Sequence, residues 1–127
     1  MLTEQINPRF NETDALGHIN NTVLACWFEG ARDPLFRLFT ADLDPVQWRL
    51  ILAKFSVEFH AELFYGQPVE LRSWVSRVGG SSFDVTQEAW QAGRKCASGV
   101  AVLVQYDFAG IHSLPLSEQL KTQLLAL

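Results

Sequence analysis

The sequence predicts an α+β fold in which an antiparallel sheet of five strands wraps around one long helix. Apolar residues recur at separations of three and four over 23–38, which is typical of a helix with a wide apolar face. From 51 onwards apolar and polar residues alternate in consecutive runs separated by turn sequences, which is typical of hairpin-connected strands. Curling that sheet around the helix is the simplest way to bury the apolar face of the helix.

The first half of the chain supplies one strand and the helix. A short strand is predicted over Thr3–Phe10, and it ends at the polar segment NETDALGHINN. The helix is expected to begin at Asn20 or Asn21, because asparagine is a favoured N-cap residue. Pro34 lacks the N–H that the preceding helical turn requires, so we expect the helix to kink or break near Asp33.

The second half supplies four strands and a short helix. On the first of these strands one face is expected to carry Ile51, Ala53, Phe55, Val57 and Phe59. The turn sequences YGQP, GGSS and QAGRK separate it from strands over 69–78, 83–92 and 97–107. The last strand is apolar on both faces, which favours a central position in the sheet. After Pro115, Ser117 is expected to cap a C-terminal helix.

Composition and charge exclude several classes of protein. The chain has 127 residues, 48% of them hydrophobic, without repeats or linkers, so a single domain over 1–127 is expected. A net charge of -4 offers no basic surface for nucleic acid. No apolar run is long enough to span a bilayer and no signal sequence is evident, so we expect a cytosolic protein without membrane insertion. Cys26 and Cys96 lie in apolar segments and are expected to be buried, reduced thiols.

A cluster of polar residues lies where the helix begins. The first N–H groups of a helix have no partner within it, so they can stabilise an oxygen that gains negative charge. Asp14 precedes them in a loop that Gly17 allows to turn tightly, and its carboxylate could face the same point. A carboxylate opposite an oxyanion site suits acyl transfer. His18, Asn20 and Asn21 could orient the acid, a water molecule or the helix cap.

Each of these residues also has a purely structural interpretation. Asp14 could be a turn former, His18 a hydrogen-bonded structural residue, and one of the asparagines no more than a helix cap. Further along the helix, Glu29 and Arg32 are three residues apart and are expected to form an ion pair. Residue types and spacing alone leave the catalytic and the structural interpretations of the cluster open.

The segment RFNETDALGHINNTVLACWFEGAR resembles the N-terminal signature of hotdog-fold thioesterases of the 4-hydroxybenzoyl-CoA thioesterase type. In that signature T-D-x-x-G-H-x-N-N opens the central helix and F-E-x-A-R follows. Weaker similarity in YGQPVELRSWV, GGSSF and ASGVAVLVQYD extends the resemblance over nearly the whole chain. The resemblance implies a hotdog fold and hydrolysis of an acyl-CoA or acyl-carrier-protein thioester.

The resemblance also implies roles for individual residues. Asp14 would attack the carbonyl or activate water, and a backbone N–H near Asn21 would hold the thioester oxygen. His18 is assigned to the catalytic set with Asp14, and Gly17 and Asn20 to substrate binding with Asn21. No metal or other cofactor is needed, because CoA is part of the substrate.

The expected partners follow from the strand edges and from the same resemblance. Exposed edges favour self-association, and the resemblance implies a homodimer or homotetramer with the site near its interface. Some relatives place basic residues for nucleotide phosphates near the turn at 78–82, where only Arg77 is a candidate in this chain. The alternative function is a hotdog protein that binds acyl groups without turnover. The intact set of Asp14, Gly17, His18 and Asn20 favours the enzyme.

Overall fold

The computed structural model describes residues 1–127, and the chain begins with a strand at one edge of the sheet. This strand, β1, covers Leu2–Ile6 and is followed by a 3₁₀ turn at Phe10–Glu12. The predicted strand over Thr3–Phe10 is therefore too long at its C-terminal end. Pro8 has no N–H to continue a ladder, and the Glu12 carboxylate accepts the Arg9 N–H at 2.6 Å, which closes the turn.

The long helix is divided into two elements, α1 at Val23–Ala31 and α2 at Asp33–Phe36. The division lies where Pro34 removes an N–H, as the sequence predicted. Because the Arg32 N–H turns to the Glu29 carbonyl, the Phe28 carbonyl accepts instead from the Gln87 side chain at 2.8 Å. The end of α1 is thus completed by a residue of the sheet.

The sheet contains the five predicted strands and one short additional strand. Besides β1, the strands are β2 at Leu50–Phe59, β3 at Val69–Val78, β4 at Ser82–Gln91, β5 at Arg94–Asp107 and β6 at His112–Ser113. Their order is β1-β3-β4-β5-β2, all antiparallel, with β6 paired to the end of β5. The central position of β5 is confirmed, whereas the two residues of β6 were too few to produce a periodic pattern. The C-terminal helix α3 covers Glu118–Leu125 and is capped by Ser117, as expected.

One strand face differs from the prediction because β2 contains a bulge. The register between β2 and β5 shifts around Ala53, which leaves an extra residue in β2. Leu50 and Leu52 therefore face the helix before the bulge, and Phe55 does so after it. The prediction that Ile51 and Ala53 share the face of Phe55 is wrong, since a bulge reverses the alternation.

The helix-facing side of the sheet is filled by two apolar clusters. One surrounds the fully buried Phe28, and the other surrounds Phe83, whose ring stacks on Phe39 with centroids 5.5 Å apart. Cys96 is buried as expected, but Cys26 is exposed because it lies on the outer face of α1. Both cysteines are free thiols. None of the helices has the length and apolar character needed to cross a bilayer.

Candidate active site

Asp14 lies in a tight hairpin immediately before α1. Thr13 and Ile19 pair to close this hairpin, and the Asp14 N–H donates to the His18 carbonyl at 2.7 Å. Gly17 has a φ of +81°, which other residues rarely adopt, and its N–H donates to the Asp14 carbonyl at 3.2 Å. The tight turn expected at Gly17 is confirmed.

The Asp14 carboxylate uses one of its two oxygens to hold the hairpin. Oδ1 accepts the backbone N–H of Leu16 at 2.8 Å and that of His18 at 3.1 Å. Oδ2 makes no hydrogen bond within the chain, and the residue is only half-buried. The structural and the chemical interpretations of Asp14 are therefore compatible. One oxygen shapes the turn, and the other is free to act as a nucleophile or a base.

The N-cap predicted at Asn20 or Asn21 lies instead at Thr22, which makes no side-chain cap hydrogen bond, and Asn20 closes the turn that leads into α1. Its Oδ1 accepts the N–H of Thr22 at 3.0 Å and the hydroxyl of Thr22 at 2.9 Å, while its carbonyl accepts the Val23 N–H at 3.0 Å. The Leu24 N–H reaches the Asn21 carbonyl at 3.4 Å. The N–H of Asn21 itself has no acceptor in the chain. The helix start thus leaves a backbone donor free at the residue where the sequence predicted an oxyanion site.

The imidazole of His18 points towards a glutamate and not towards the Asp14 carboxylate. Its ring meets Phe64 edge-on with centroids 5.2 Å apart, and Nδ1 lies 3.3 Å from Oε2 of Glu62. Only the backbone N–H of His18 contacts the Asp14 side chain. The contact with Glu62 had no signal in the sequence, because Glu62 lies in a loop more than forty residues away.

Glu12 connects the hairpin to the helix and was also missed by the sequence interpretation. Its Oε2 accepts the indole N–H of Trp27 at 2.9 Å, and its carbonyl accepts the Asn20 N–H at 2.8 Å. With Oε1 bound to the Arg9 N–H, both carboxylate oxygens are occupied. Glu12 therefore fixes the position of the hairpin relative to α1 and leaves the free carboxylate oxygen of this loop to Asp14.

A buried glutamine holds the loop opposite the hairpin. Gln91 on β4 accepts the Phe64 N–H at 2.9 Å and donates to the carbonyls of Phe64 at 2.9 Å and Gln67 at 3.1 Å. The same loop accepts the Ile19 N–H at the Leu63 carbonyl, at 2.8 Å. The sequence did carry a signal for this residue. Gln91 stands at an inward position of a strand whose other inward residues are mostly apolar.

A cleft of about 430 Å³ opens beside the helix start. Its walls include Asn21, Leu24, Phe59, Phe64 and Arg94. Asn21 is the predicted site residue that lines this cleft, whereas Asp14, Gly17, His18 and Asn20 do not. Asn21 therefore borders a cavity, whereas Asp14 lies outside its lining.

A larger cavity of about 680 Å³ lies at the other end of α1. Its apolar walls are formed mainly by Phe36, Leu43, Trp48, Leu50 and Leu52. Arg32 also lines it and is 3% exposed, with Nη1 donating to Oε1 of Gln87 at 3.0 Å. The expected ion pair between Glu29 and Arg32 is wrong. The Arg32 side chain is buried between the helix and the sheet, where it binds Gln87 of β4, whereas Glu29 is exposed.

Arg77, the sequence candidate for nucleotide phosphates, already has a carboxylate partner. Its Nη2 lies 2.9 Å from Oδ1 of Asp84 and 3.0 Å from the hydroxyl of Ser82. The hydrogen bond to Asp84 raises the pKa of Arg77. Its charge is therefore partly neutralised within the chain.

Comparisons with known proteins agree with this architecture. The family model of the thioesterase-like superfamily matches residues 8–124. A predicted thioesterase from Bacillus stearothermophilus is 36% identical, with a TM-score of 0.93 over 97% of this chain and 92% of the other. A thioesterase from Thermus thermophilus, solved with coenzyme A and zinc, is 26% identical, with a TM-score of 0.85 over 98% of this chain and 91% of the other. The uncharacterized protein YsmA of Bacillus subtilis strain 168 is 26% identical over 102 residues, which are 80% of this chain and 69% of YsmA.

Proposed function

The chain belongs to the thioesterase-like superfamily and is by that membership a thioester hydrolase, and from this premise we propose that it is an acyl-CoA thioesterase of the 4-hydroxybenzoyl-CoA type. The observation that carries this proposal is the free Oδ2 of Asp14 in a hairpin joined directly to a helix start with a free Asn21 N–H. Coenzyme A in the Thermus thermophilus relative supports a CoA thioester as substrate. An acyl-carrier-protein thioester presents the same bond and is the alternative form of the substrate.

In the proposed reaction, Oδ2 of Asp14 attacks the thioester carbonyl carbon or takes a proton from a water molecule that attacks it. The carbonyl oxygen gains negative charge and accepts the Asn21 N–H at the positive end of the helix dipole. The C–S bond then breaks and CoA leaves as a thiolate, which takes up the proton from Asp14 when Asp14 has acted as the base. In the nucleophilic form, water hydrolyses the resulting acyl anhydride and restores the Asp14 carboxylate.

The surrounding residues position these two groups. Gly17 and the backbone N–H of His18 hold the Asp14 hairpin, Asn20 closes the turn before the helix, and the imidazole of His18 joins the hairpin to the loop of Glu62. The reaction proposed here assigns no role to a metal or an organic cofactor. CoA takes part only as a portion of the substrate.

The CoA nucleotide requires a cation that is free to bind phosphate. Arg94 is exposed, lines the cleft beside Asn21 and has no carboxylate within ion-pair distance. Arg77 is paired with Asp84 and is the weaker candidate. We therefore assign the phosphate contact to Arg94.

We also propose that the working form is a homodimer or homotetramer. β2 pairs only with β5, so its other edge has unpaired backbone groups. A second copy bound at this edge would also cover Leu52 and Phe59, which are 47% and 50% exposed where they border the larger cavity and the cleft. The proposed location is the cytosol, in keeping with the free thiols of Cys26 and Cys96.

Asp14→Asn tests the catalytic role directly. Asparagine keeps an Oδ1 acceptor for Leu16 and His18 but removes the negative charge, so the hairpin should persist. Single-turnover hydrolysis should fall at least about a hundredfold, with acyl-CoA binding nearly retained. The substrate is first chosen by thiol release from a panel of short, long and aromatic acyl-CoAs.

Asp42→Asn is the matched control. Asp42 is also an exposed turn former, with Oδ1 accepting the Asp44 N–H at 3.1 Å, but it lies far along the chain from the hairpin. Its replacement should leave turnover unchanged. A folded Asp14→Asn protein with the wild-type rate would reduce Asp14 to a turn former. Acyl-CoA binding by the wild type without any turnover would instead support the acyl-binding alternative.

A further inference from the structure

The outer face of the sheet, on the side away from the helices, carries a line of apolar residues along its central strand. Val100, Val102 and Val104 alternate along β5 with the buried Ala101 and Leu103, so their side chains project from the opposite face. The face of an antiparallel sheet that meets solvent normally carries polar residues at such positions. The fold of a single chain therefore does not account for these valines.

Two further apolar residues extend this line onto neighbouring strands. Ile51 of β2 pairs with Val104, and Trp74 of β3 pairs with Thr86, which in turn pairs with Val100. None of the five apolar residues packs against either buried cluster, and all five are only half-buried. Together they form the outer patch, which consists of Ile51, Trp74, Val100, Val102 and Val104.

Charged residues of opposite sign lie on the two sides of the outer patch. Lys54 on β2 and Asp84 on β4 both pair with Val102, so the three side chains form one row across the face. Lys54 is exposed and has no carboxylate partner within the chain. Asp84 binds Arg77 through Oδ1 alone, at 2.9 Å, which leaves Oδ2 without a hydrogen bond in the chain. Each side of the patch therefore offers a charge that the other side could pair with.

We propose that the outer patch binds the same patch of a second copy of this chain, with the two β5 strands lying over each other. A two-fold axis parallel to β5 and above Val102 exchanges the two sides of the face, so Lys54 lies opposite the partner's Asp84. Aligned sheets pack about 10 Å apart, a distance that these two side chains together can span. The next row places Ser56 opposite the partner's Thr86, where two hydroxyls can form a hydrogen bond.

The distribution of charge selects this alignment over the other simple one. A two-fold axis across the strands would place Lys54 opposite the partner's Lys54, and like charges in contact are unfavourable. With the axis along β5, the like-charged contact is that of Glu58 with the partner's Glu88. Lys95 lies 3.5 Å from Glu88 within the same chain and partly neutralises it.

The outer face is large enough for a specific contact. Strands β2, β3 and β4 each have 10 residues, so with β5 they present roughly 19 by 33 Å, or about 600 Å², at about 4.8 Å between strands and 3.3 Å per residue. Two copies would bury about 1,200 Å² in total, at the lower end of the range for stable interfaces. We therefore expect an association that dilution can reverse.

The first test places a charge at the centre of the outer patch. Val102→Asp should halve the mass measured by light scattering, because two carboxylates would be buried opposite each other without partners. The mass should fall from dimer to monomer if the outer patch is the sole contact, and from tetramer to dimer if the β2 edge also pairs. Val46→Asp is the control, because Val46 is 85% exposed in the turn before β2 and the change in charge is the same.

Two results would contradict the proposal. One is a wild-type protein that stays monomeric, and the other is an unchanged mass in a folded Val102→Asp variant. Either result would leave the outer face to a partner of different sequence. If Val102→Asp does not fold, the change at the exposed Lys54 decides the question.

The second test examines the alignment by reversing charges. Lys54→Glu places two acidic side chains together and should raise the dissociation constant at least about tenfold. Adding Asp84→Lys restores opposite charges and should recover most of the affinity. Lys121→Glu is the control, because it makes the same change on α3, whose Leu124 packs on the inner side of the sheet.

Sedimentation velocity over a dilution series measures these constants. An unchanged constant in Lys54→Glu, or no recovery in the double variant, would contradict the proposed contact. Neither test depends on turnover, so a result against the outer patch leaves the proposed thioesterase activity intact.

Discussion

The two ends of α1 satisfy their polar groups in opposite ways. At the start, Asn20 caps Thr22 and Glu12 accepts the Asn20 N–H, so the partners are close in the sequence. At the end, the Phe28 carbonyl and the Arg32 guanidinium both bind Gln87, which is 59 and 55 residues away. The start is exposed and built locally, whereas the end is buried and depends on the sheet.

Each end nevertheless leaves one donor without a partner. At the start it is the Asn21 N–H beside the smaller cleft, and at the end it is Nε of Arg32 beside the larger cavity. Loss of the exposed donor should change chemistry without unfolding the protein, because no protein contact depends on it. Loss of the buried network should change stability first, because it crosses from helix to sheet.

Asn21→Pro should have the largest effect on activity, because it deletes the free N–H itself. Asn21 lies just before the N-cap Thr22 and its N–H has no acceptor within the chain, so proline removes the donor without breaking an internal hydrogen bond. Turnover should fall at least about a hundredfold, as for other oxyanion donors, with the urea midpoint nearly unchanged. Asn21→Ala keeps the N–H and should keep most of the turnover. Full activity in Asn21→Pro would move the oxyanion site away from this residue.

Gln87→Leu should have the largest effect on stability. It deprives Arg32, Phe28 and Ser73 of partners in the core, so the free energy of unfolding should fall by about 2 kcal/mol. Thr86→Val on the other face of β4, where the Thr86 hydroxyl meets Ser76 in an exposed contact, should change it by less than about 0.5 kcal/mol. Urea unfolding measures both.

A double mutant tests whether the buried end acts as a unit. Adding Arg32→Met to Gln87→Leu removes the cation that the single change leaves unpaired, so the two losses should be less than additive. Strict additivity would show that Arg32 and Gln87 contribute independently to the free energy of unfolding. A Gln87→Leu protein as stable as the wild type would show that the hydrogen bonds of Gln87 do not stabilise the fold.

The contrast between local contacts at the start of α1 and long-range contacts at its end also explains which features the sequence could predict. The Asp14 hairpin and the break at Pro34 depend on contacts within a few residues, so local patterns predicted them. The N-cap was predicted one or two residues before its observed position at Thr22. Arg32 was assigned to a surface ion pair because helix spacing takes no account of the sheet above it. Gln87 did leave a signal, since it occupies an inward position of β4 in phase with the buried Phe83 and Val85.

Other features left no signal in the sequence. The extra residue at Ala53 changes which side chains face the helix, but alanine fits a regular strand equally well. Glu62 approaches His18 from the loop that Gln91 binds at Phe64, a contact between residues far apart in the sequence. The cavity at Arg32 is likewise a product of packing between α1, α2 and β2, which periodicity cannot locate.

Asn20→Ala is the smallest predicted effect and tests how local the start of α1 is. Its Oδ1 accepts both the N–H and the hydroxyl of Thr22 in the turn before α1, so its loss should lower the free energy of unfolding by about 1 kcal/mol, as for other side-chain caps of backbone N–H groups. Asn21→Ala is the matched comparison, because the Asn21 side chain makes no hydrogen bond and should contribute less than about 0.5 kcal/mol. Urea unfolding of the two variants measures the difference. Equal losses would mean that the cap is shared between the two asparagines, and a loss well above that of Gln87→Leu would mean that the hairpin at Asp14 unfolds with it.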